Sequence, residues 1–517
     1  MKRKYTYILA MTAGMQLLSA CSNKFLEVDP KGTFLEDTYY RNATEAFNGL
    51  VAVYDVVGWQ GSNYVTKIGT MDAASDDQLA GGGGPSDVMA FQVMSNWTIT
   101  PGVGPQDELW KKGYSGVSRA NVLLEKLPKT NMDDNLKKRF VAECKLLRAF
   151  FYFDLVRMFK SVPLLLRTYN TSEMYTVTQA APEDVYKQIE ADLKDAIAET
   201  NLPDMVDPTS EGGRVTKGTA HALLGKVYLY EQKWAEAATE LQEVNGGTPG
   251  QINAKYGYNL VPDFASLWKS DPTSKFNTES ILEVSYNSIS GGTWSAIGST
   301  DGNLLNIMTG PRNYKALKPG APDYVSGWSF LIVTKDLYDV MHYDPRFQAT
   351  ILDMDSLKRN GIADYDPDAG YKNTGYFINK FCGRVSNESK GGGNMELNFP
   401  QNLYEIRLAD TYLMEAEALV KSGQGTGAGS RAYNLLNAVR NRVGLGPIEA
   451  TIDNIFKERR LELAGEGHRF FDLVRSGQAY DVLKDRGFTK NKNEILPIPL
   501  LELPNTQLKQ TPEWGGQ

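Results

Sequence analysis

A charged side chain falls on the buried face of a helix near the C-terminus, and nothing else in the chain restricts its fold as much. Residues 458–475 read Glu458-Arg459-Arg460-Leu461-Glu462-Leu463-Ala464-Gly465-Glu466-Gly467-His468-Arg469-Phe470-Phe471-Asp472-Leu473-Val474-Arg475. Upstream, Ile452, Ile455 and Phe456 mark the apolar face of a helix. Two turns beyond Ile452 that face arrives at Arg459, and two turns beyond Phe456 it arrives at Leu463. A guanidinium in such a position is tolerated only when paired and fully hydrogen-bonded. Glu462, Glu466 or Asp472 is therefore expected within reach of Arg459, Arg469 or Arg475. We read the segment as a packed ionic brace and not an active site, because no catalytic motif adjoins it.

The same residues carry a resemblance. Glu458-Arg459-Arg460, the Glu466-Gly467-x-Arg469 step and Phe471-Asp472-Leu473-Val474-Arg475 occur with three further segments. These are Arg148-Ala149-Phe150-Phe151-Tyr152-Phe153-Asp154-Leu155 running to Val162-Pro163-Leu164, Ile406-Arg407-Leu408-Ala409 followed by Ala416-Glu417-Ala418, and Leu496-Pro497-Ile498-Pro499 with Gln510 and Pro512 behind it. In kind and order they resemble the SusD/RagB family of Bacteroidota surface lipoproteins, across almost the whole mature chain.

The N-terminus agrees independently. Lys2, Arg3 and Lys4 precede an apolar stretch from Tyr5 to about Leu18, closed by Leu18-Ser19-Ala20-Cys21. This reads as a lipoprotein signal peptide over 1–20, with Cys21 the acylated first residue of the mature protein. The competing readings are a plain cleaved signal with an incidental Cys and an uncleaved membrane helix, the second disfavoured because the apolar run falls short of the ~20 residues a span needs. Several acyl chains on one cysteine hold a protein on a membrane far better than one chain does. Ser22 follows Cys21, and Phe25-Leu26-Glu27-x-Asp29-Pro30 resembles the mature start of the family.

A chain of 517 residues with 42% hydrophobic and 23% charged residues can bury a large core behind that tether. The net charge of -7 and the lack of a basic run argue against a nucleic-acid partner. Cys144 falls in an apolar helical run and Cys382 in a loop; no spacing links them, and two free, mostly buried thiols are expected.

Helical patterning places helices at 36–57, 107–127, 133–159, 183–199, 217–231 and 234–244, then at 403–421, 430–443 and 452–465. Arg148 interrupts an apolar run and is expected to find Glu143 or Asp154. Leu224-Gly225-x-x-Tyr228 followed by Trp234-Ala235-x-Ala237 matches the register of tetratricopeptide helix pairs. The fold class is thus mostly α: a single domain over 21–517, with a tetratricopeptide-like scaffold of helix pairs at about 36–244 and 401–483. A loop-rich insertion with short strands occupies about 245–400, including a strand at Ser280-Ile281-Leu282-Glu283-Val284-Ser285-Tyr286. Residues 58–106 are similarly irregular. Function tends to sit on such loops.

The tryptophans divide along the same line. Trp110, Trp234 and Trp268 lie in helical or apolar context, where core packing is the default, and Trp514 lies in the tail. Trp59, Trp97, Trp294 and Trp328 sit among Gly, Ser, Thr and Asn. Each is a plug closing its loop or a platform offered to a ligand. Sugar rings stack their C–H faces on such platforms and need carboxylates, amides or Arg for their hydroxyls. Asp76, Asp77, Gln78 and Asn96 stand close in sequence. The resemblance favours Trp97 and Trp328 as binding residues, because relatives build the glycan site in those regions.

Catalytic motifs are nearly absent. His221, His342 and His468 are isolated, so neither a triad nor a His-rich zinc site has its parts. Gly81 to Gly84 lacks the ending of a phosphate loop. Asp364-x-Asp366-x-Asp368-x-Gly370 lacks the Glu that closes a calcium loop and reads as an acidic solvated turn. No catalytic residue, cofactor or metal is assigned. The resemblance implies a cell-surface lipoprotein of the outer membrane that binds glycan and passes it to a TonB-dependent transporter of the SusC type. Loop aromatics suit an oligopeptide equally, as in some relatives. A tetratricopeptide scaffold for envelope assembly and a secreted hydrolase are the competing classes.

Overall fold

The computed structural model describes residues 39–61, 64–294, 300–388 and 392–516. The expected signal peptide and Cys21 lie outside the described residues, as does the start of the first expected helix. The scaffold helices and two shorter ones that position the site and the brace are, in chain order, α1 (Ala43–Val57), α2 (Lys67–Ala73), α3 (Gln106–Lys126), α4 (Asp134–Phe159), α5 (Pro182–Ala198), α6 (Lys217–Tyr230), α7 (Trp234–Asn245), α8 (Leu408–Lys421), α9 (Arg431–Arg442), α10 (Ile452–Glu462) and α11 (Arg469–Arg475); further short helices lie in the connecting segments. Among the described residues, no helix is long and apolar enough to cross a membrane.

From α3 to α10 each of these helices packs on the next, and α1 packs on α3. Polar caps set their starts: Asp133 accepts from Leu136 N at 2.9 Å at the head of α4, and Thr216 and Thr219 form a capping box on α6. Gly225 shows why the small-residue register matters. A Cβ there would lie 2.5 Å from Leu241 Cγ, so α6 and α7 approach as closely as they do only because the side chain is missing. The decisive contact is α7 with α8. It joins the two helical blocks into one continuous solenoid, and residues 246–407 are looped out from that junction. One hydrophobic cluster runs from Ala46 to Ile498 through both blocks and the insertion.

The expected strand is present as β2 (Ser280–Val284). Its antiparallel partner, β6 (Leu403–Arg407), corrects the reading of 403–421 as one helix. The first five of those residues are extended and hydrogen-bonded to β2, and α8 begins only after Arg407. β1 (Gln78–Gly81) pairs with β3 (Phe330–Val333), and β4 (Ile351–Asp353) with β5 (Tyr376–Ile378), both antiparallel. The last helix of the scaffold is also shorter than expected. α10 stops at Glu462, and Gly465 and Gly467 turn the chain at φ +79° and +78° before α11.

The brace exists, with a wider membership than the sequence suggested. Arg459 bonds Asp472 at 2.9 Å and Asp410 at 2.8 Å, and Arg475 bonds Asp472 at 2.7 Å and Glu417 at 2.5 Å. Arg469 instead pairs with Asp76 at 2.8 Å. Glu462 and Glu466 are met by residues from elsewhere. Arg407 reaches Glu279 (2.8 Å), Glu462 (2.6 Å) and Glu466 (2.7 Å), Arg346 reaches Glu458 (2.7 Å), Glu462 (2.8 Å) and Asp344 (2.8 Å), and Lys380 reaches Glu466 (2.7 Å). Arg442 closes the set on Glu279 and Glu462, and Arg440 on Glu458. Five cations, Arg346, Lys380, Arg407, Arg440 and Arg442, thus face five anions, Glu279, Asp344, Glu458, Glu462 and Glu466. A neutral total makes their burial tolerable. Because Glu279, Asp344, Arg346, Lys380 and Arg407 come from the insertion, this network clamps the insertion to α9 and α10. Arg148 also finds a partner other than those expected: a bidentate pair with Asp192 of α5, both bonds 2.8 Å, plus Asn121 of α3.

Candidate functional site

Three aromatic rings, two from loops of the insertion and one from the loop between α1 and α2, meet at the surface. Trp294 stacks on Trp328 with ring centroids 5.8 Å apart and planes 28° apart. Tyr64 meets both edge-on, at 5.9 Å from Trp294 and 5.6 Å from Trp328. Trp294 is 38% exposed, while Tyr64 and Trp328 are half-buried. Offset stacking and edge contacts are the favourable geometries for such rings.

The backbone around each ring is held firmly. Trp328 N donates to Ile307 O at 2.8 Å, and Trp328 O accepts from Arg312 Nε at 3.0 Å. Gly327 lies directly against Gly310; a Cβ on it would fall 2.4 Å from Gly310 Cα, so position 327 tolerates no side chain on that side. Ser329, just before β3, and Leu331, inside it, adopt left-handed φ values of 56° and 54° where β3 pairs with β1. Non-glycine residues in that region cost of order 1–3 kcal/mol each and persist where the surroundings over-determine them. Trp294 is positioned by a second loop. Its N donates to Asn394 Oδ1 at 3.3 Å, and Asn398 exchanges two 3.0 Å bonds with the backbone of Gly292. Arg312, whose Nε holds the Trp328 carbonyl, lies 3.5 Å from Asp87, and both side chains are partly exposed. The chemistry on offer is an apolar double face with amides, a guanidinium and a carboxylate near its edge.

Of the residues singled out by sequence, Trp294 and Trp328 come together here. Trp97 does not. It is 6% exposed, with Phe470 at 5.3 Å and Phe488 at 4.8 Å from its ring, which is the plug geometry. Asp76 and Asp77 are tied up by arginines: Arg469 grips Asp76 through two bonds of 2.8 and 2.9 Å, and Arg460 Nε bonds Asp77 at 2.7 Å. Burial pushes the Asp77 carboxyl up to about 6, against the pull of Arg460. The Asp76 carboxyl is lowered: burial opposes the change, and Arg469 and Arg460 outweigh it. Trp59 lies on a neighbouring cleft, with Arg119 4.8 Å over its ring and its Nε1 donating to Asp55 at 3.0 Å. Asp364 pairs with Lys358 at 2.8 Å, and Asp366 caps a short helical turn. Cys144 and Cys382 are both free and buried. Tyr64 and Arg312 were missed. Tyr64 stands beyond Trp59 in a Gly- and Ser-containing loop, and the criterion applied to tryptophan would have found it had it been extended to tyrosine.

A solved structure described as a laminarin-binding SusD-like protein is 51% identical to this chain. It covers 92% of this chain and 100% of its own length, with a TM-score of 0.86. The chain belongs to the SusD/RagB family. Family models agree on both halves of this SusD-like chain, one for the SusD family over residues 278–514 and one described as starch-binding associating with outer membrane over residues 24–229. Surface glycan-binding protein A from Bacteroides thetaiotaomicron, in complex with laminarihexaose, is 26% identical, covers 89% of this chain and 97% of its own, and has a TM-score of 0.77. SusD-like protein P2 from Formosa agariphila is 25% identical over 527 residues, 97% of each chain. The mostly α, solenoid-based architecture is thus that of the SusD family.

Proposed function

We propose that this SusD-like chain is a lipid-anchored protein of the outer-membrane surface that binds a laminarin-type glucan on the Tyr64–Trp294–Trp328 platform. It then hands the glucan, uncleaved, to a TonB-dependent transporter of the SusC type. The stacked Trp294–Trp328 pair carries the reading, since two rings at a small angle offer a broad apolar face matched to the C–H faces of consecutive sugar rings. The laminarin-binding relative at 51% identity supports that ligand class over a peptide. Aromatic faces and amides hold a ligand; they do not move protons, and the acids Asp76 and Asp77 are engaged by arginines. Leu18-Ser19-Ala20-Cys21 supports the anchor.

Calorimetry with laminarihexaose tests the platform. Trp294→Ala and Trp328→Ala should each weaken binding by about tenfold or more, corresponding to about 1.4 kcal/mol or more, with little change in melting for Trp294→Ala. Unchanged affinity in both variants overturns the assignment. Release of reducing sugar by the wild-type protein would refute the non-enzymatic part, and failure to co-purify a large barrel protein from native membranes would refute the transporter part.

A further inference from the structure

Beside the platform lies a cleft of about 390 Å³, within the range of about 300–1,000 Å³ usual for small-ligand sites. None of the three platform rings lines it, but both of its walls lead to the platform along the chain. Trp59 and Gln60 on one wall belong to the loop that leads to Tyr64, and Asn287, Thr300 and Asp301 on the other flank the loop that carries Trp294. The two ends of the Trp294 loop touch: a Cβ on Gly292 would lie 2.4 Å from Thr300 Oγ1. Gln60 ties the walls together, its Nε2 donating to Gly302 O at 2.6 Å and its Oε1 accepting from Leu304 N at 2.6 Å.

The lining has both chemistries a sugar needs. Phe47 and Val51, one turn apart on α1, are 41% and 46% exposed, apolar surface that the core leaves uncovered. Trp59 continues this strip, braced by Arg119 and by its bond to Asp55. The exposed Asp301 supplies a carboxylate at the rim, and Asn287 an amide beside it. Carboxylates accept strong hydrogen bonds from hydroxyl groups.

We infer that this cleft is an extension of the glucan site, taking further pyranose units of a chain whose other part lies on the Tyr64–Trp294–Trp328 platform. The inference rests on the platform reading above. It makes affinity depend on chain length, a short oligosaccharide filling the platform alone and a longer one entering the cleft.

The test is calorimetry with laminaritriose and with laminarihexaose on wild type, Trp59→Ala, Val51→Arg and Trp328→Ala, with melting curves on the same samples. Val51→Arg fills the cleft from an exposed position and removes no packed group, so it stays informative where Trp59→Ala is destabilised. The expected result is that wild type binds laminarihexaose about tenfold or more tighter than laminaritriose, a step of about 1.4 kcal/mol. Trp59→Ala and Val51→Arg should lose that step and keep laminaritriose affinity, while Trp328→Ala should lose both. A chain-length step that survives in Trp59→Ala and Val51→Arg overturns the extended site and leaves the platform standing. Loss of laminaritriose binding in those variants with none in Trp328→Ala overturns the platform itself and, with it, this inference.

Discussion

Arg407→Ala should destabilise the protein without reaching its ligand site. The side chain is 1% exposed and bonds three carboxylates: Glu279 at 2.8 Å, Glu462 at 2.6 Å and Glu466 at 2.7 Å. After truncation each carboxylate keeps one other cation at least: Glu466 keeps Lys380, Glu462 keeps Arg346 and Arg442, and Glu279 keeps Arg442. The network nevertheless goes from five cations against five anions to four against five, leaving one uncompensated buried charge. Breaking a buried pair from one side costs about 3–5 kcal/mol. Unfolding entropy of about 2.1 cal/mol/K per residue sums to roughly 1 kcal/mol/K over this chain, so Tm should fall by about 3–5 °C. The deficit should narrow on acidification, as one of the stranded carboxylates takes up a proton. Arg407→Lys should recover only part, because one ammonium does not span the positions that a guanidinium fork serves. Differential scanning calorimetry at neutral and mildly acidic pH, with laminarihexaose titration beside it, measures both effects. A wild-type Tm in Arg407→Ala, or lost affinity without a lower Tm, refutes the brace.

Trp97→Ala should cost about 3–5 kcal/mol, since it empties a buried site between Phe470 and Phe488, while calorimetric affinity for laminarihexaose stays at the wild-type value; weakened binding at unchanged Tm would return Trp97 to the site. Burial pushes His468 down to about 3, so its neutral form contributes stability above the ordinary value of about 6.5 that is lost as pH falls towards 3. Glu462 adds to this below about 4.3: burial opposes the shift, and Arg442, Arg407 and Arg346 hold its carboxyl well below the usual range. Wild-type Tm should therefore decline from about pH 6.5 downward, and His468→Gln should flatten the upper part of that decline; identical profiles would exclude His468 as its cause. Cys21→Ser should abolish metabolic labelling with acyl precursors and release the protein from the outer-membrane fraction, and persistent labelling would disprove the anchor.

Some of this was legible because it is local. Arg459 on the apolar face demanded a carboxylate, and Asp472 is there at 2.9 Å. Arg148 made the same demand, yet neither residue expected from its own helix serves it. At about 100° of rotation per residue Glu143 and Asp154 both lie well round the helix from Arg148; Glu143 meets Arg139 and Arg214, and Asp154 meets Lys67 and Arg157. The partner, Asp192, comes from α5. The stretch 403–407 was misread for a related reason. Its apolar residues fit either period over so short a run, and the strand that decides the matter, β2, is far away in sequence.

By itself the sequence determined most of the scaffold helices, the small residues at their contacts and the sorting of tryptophans into helical and loop settings. These are consequences of side-chain period and of backbone preferences within a few residues of each other. Only the tertiary structure decided that α7 meets α8, so that two helical blocks are one solenoid. It alone decided that Asp76 and Asp77 answer arginines, and that of four loop tryptophans one fills the core, one lines a cleft and two stack on each other with Tyr64 at their edge. A loop carries no periodicity from which burial can be read. Whether its aromatic ring faces solvent depends on which distant backbone reaches it first, here Asn394 and Asn398 behind the Trp294 loop and Gly310 beneath Gly327.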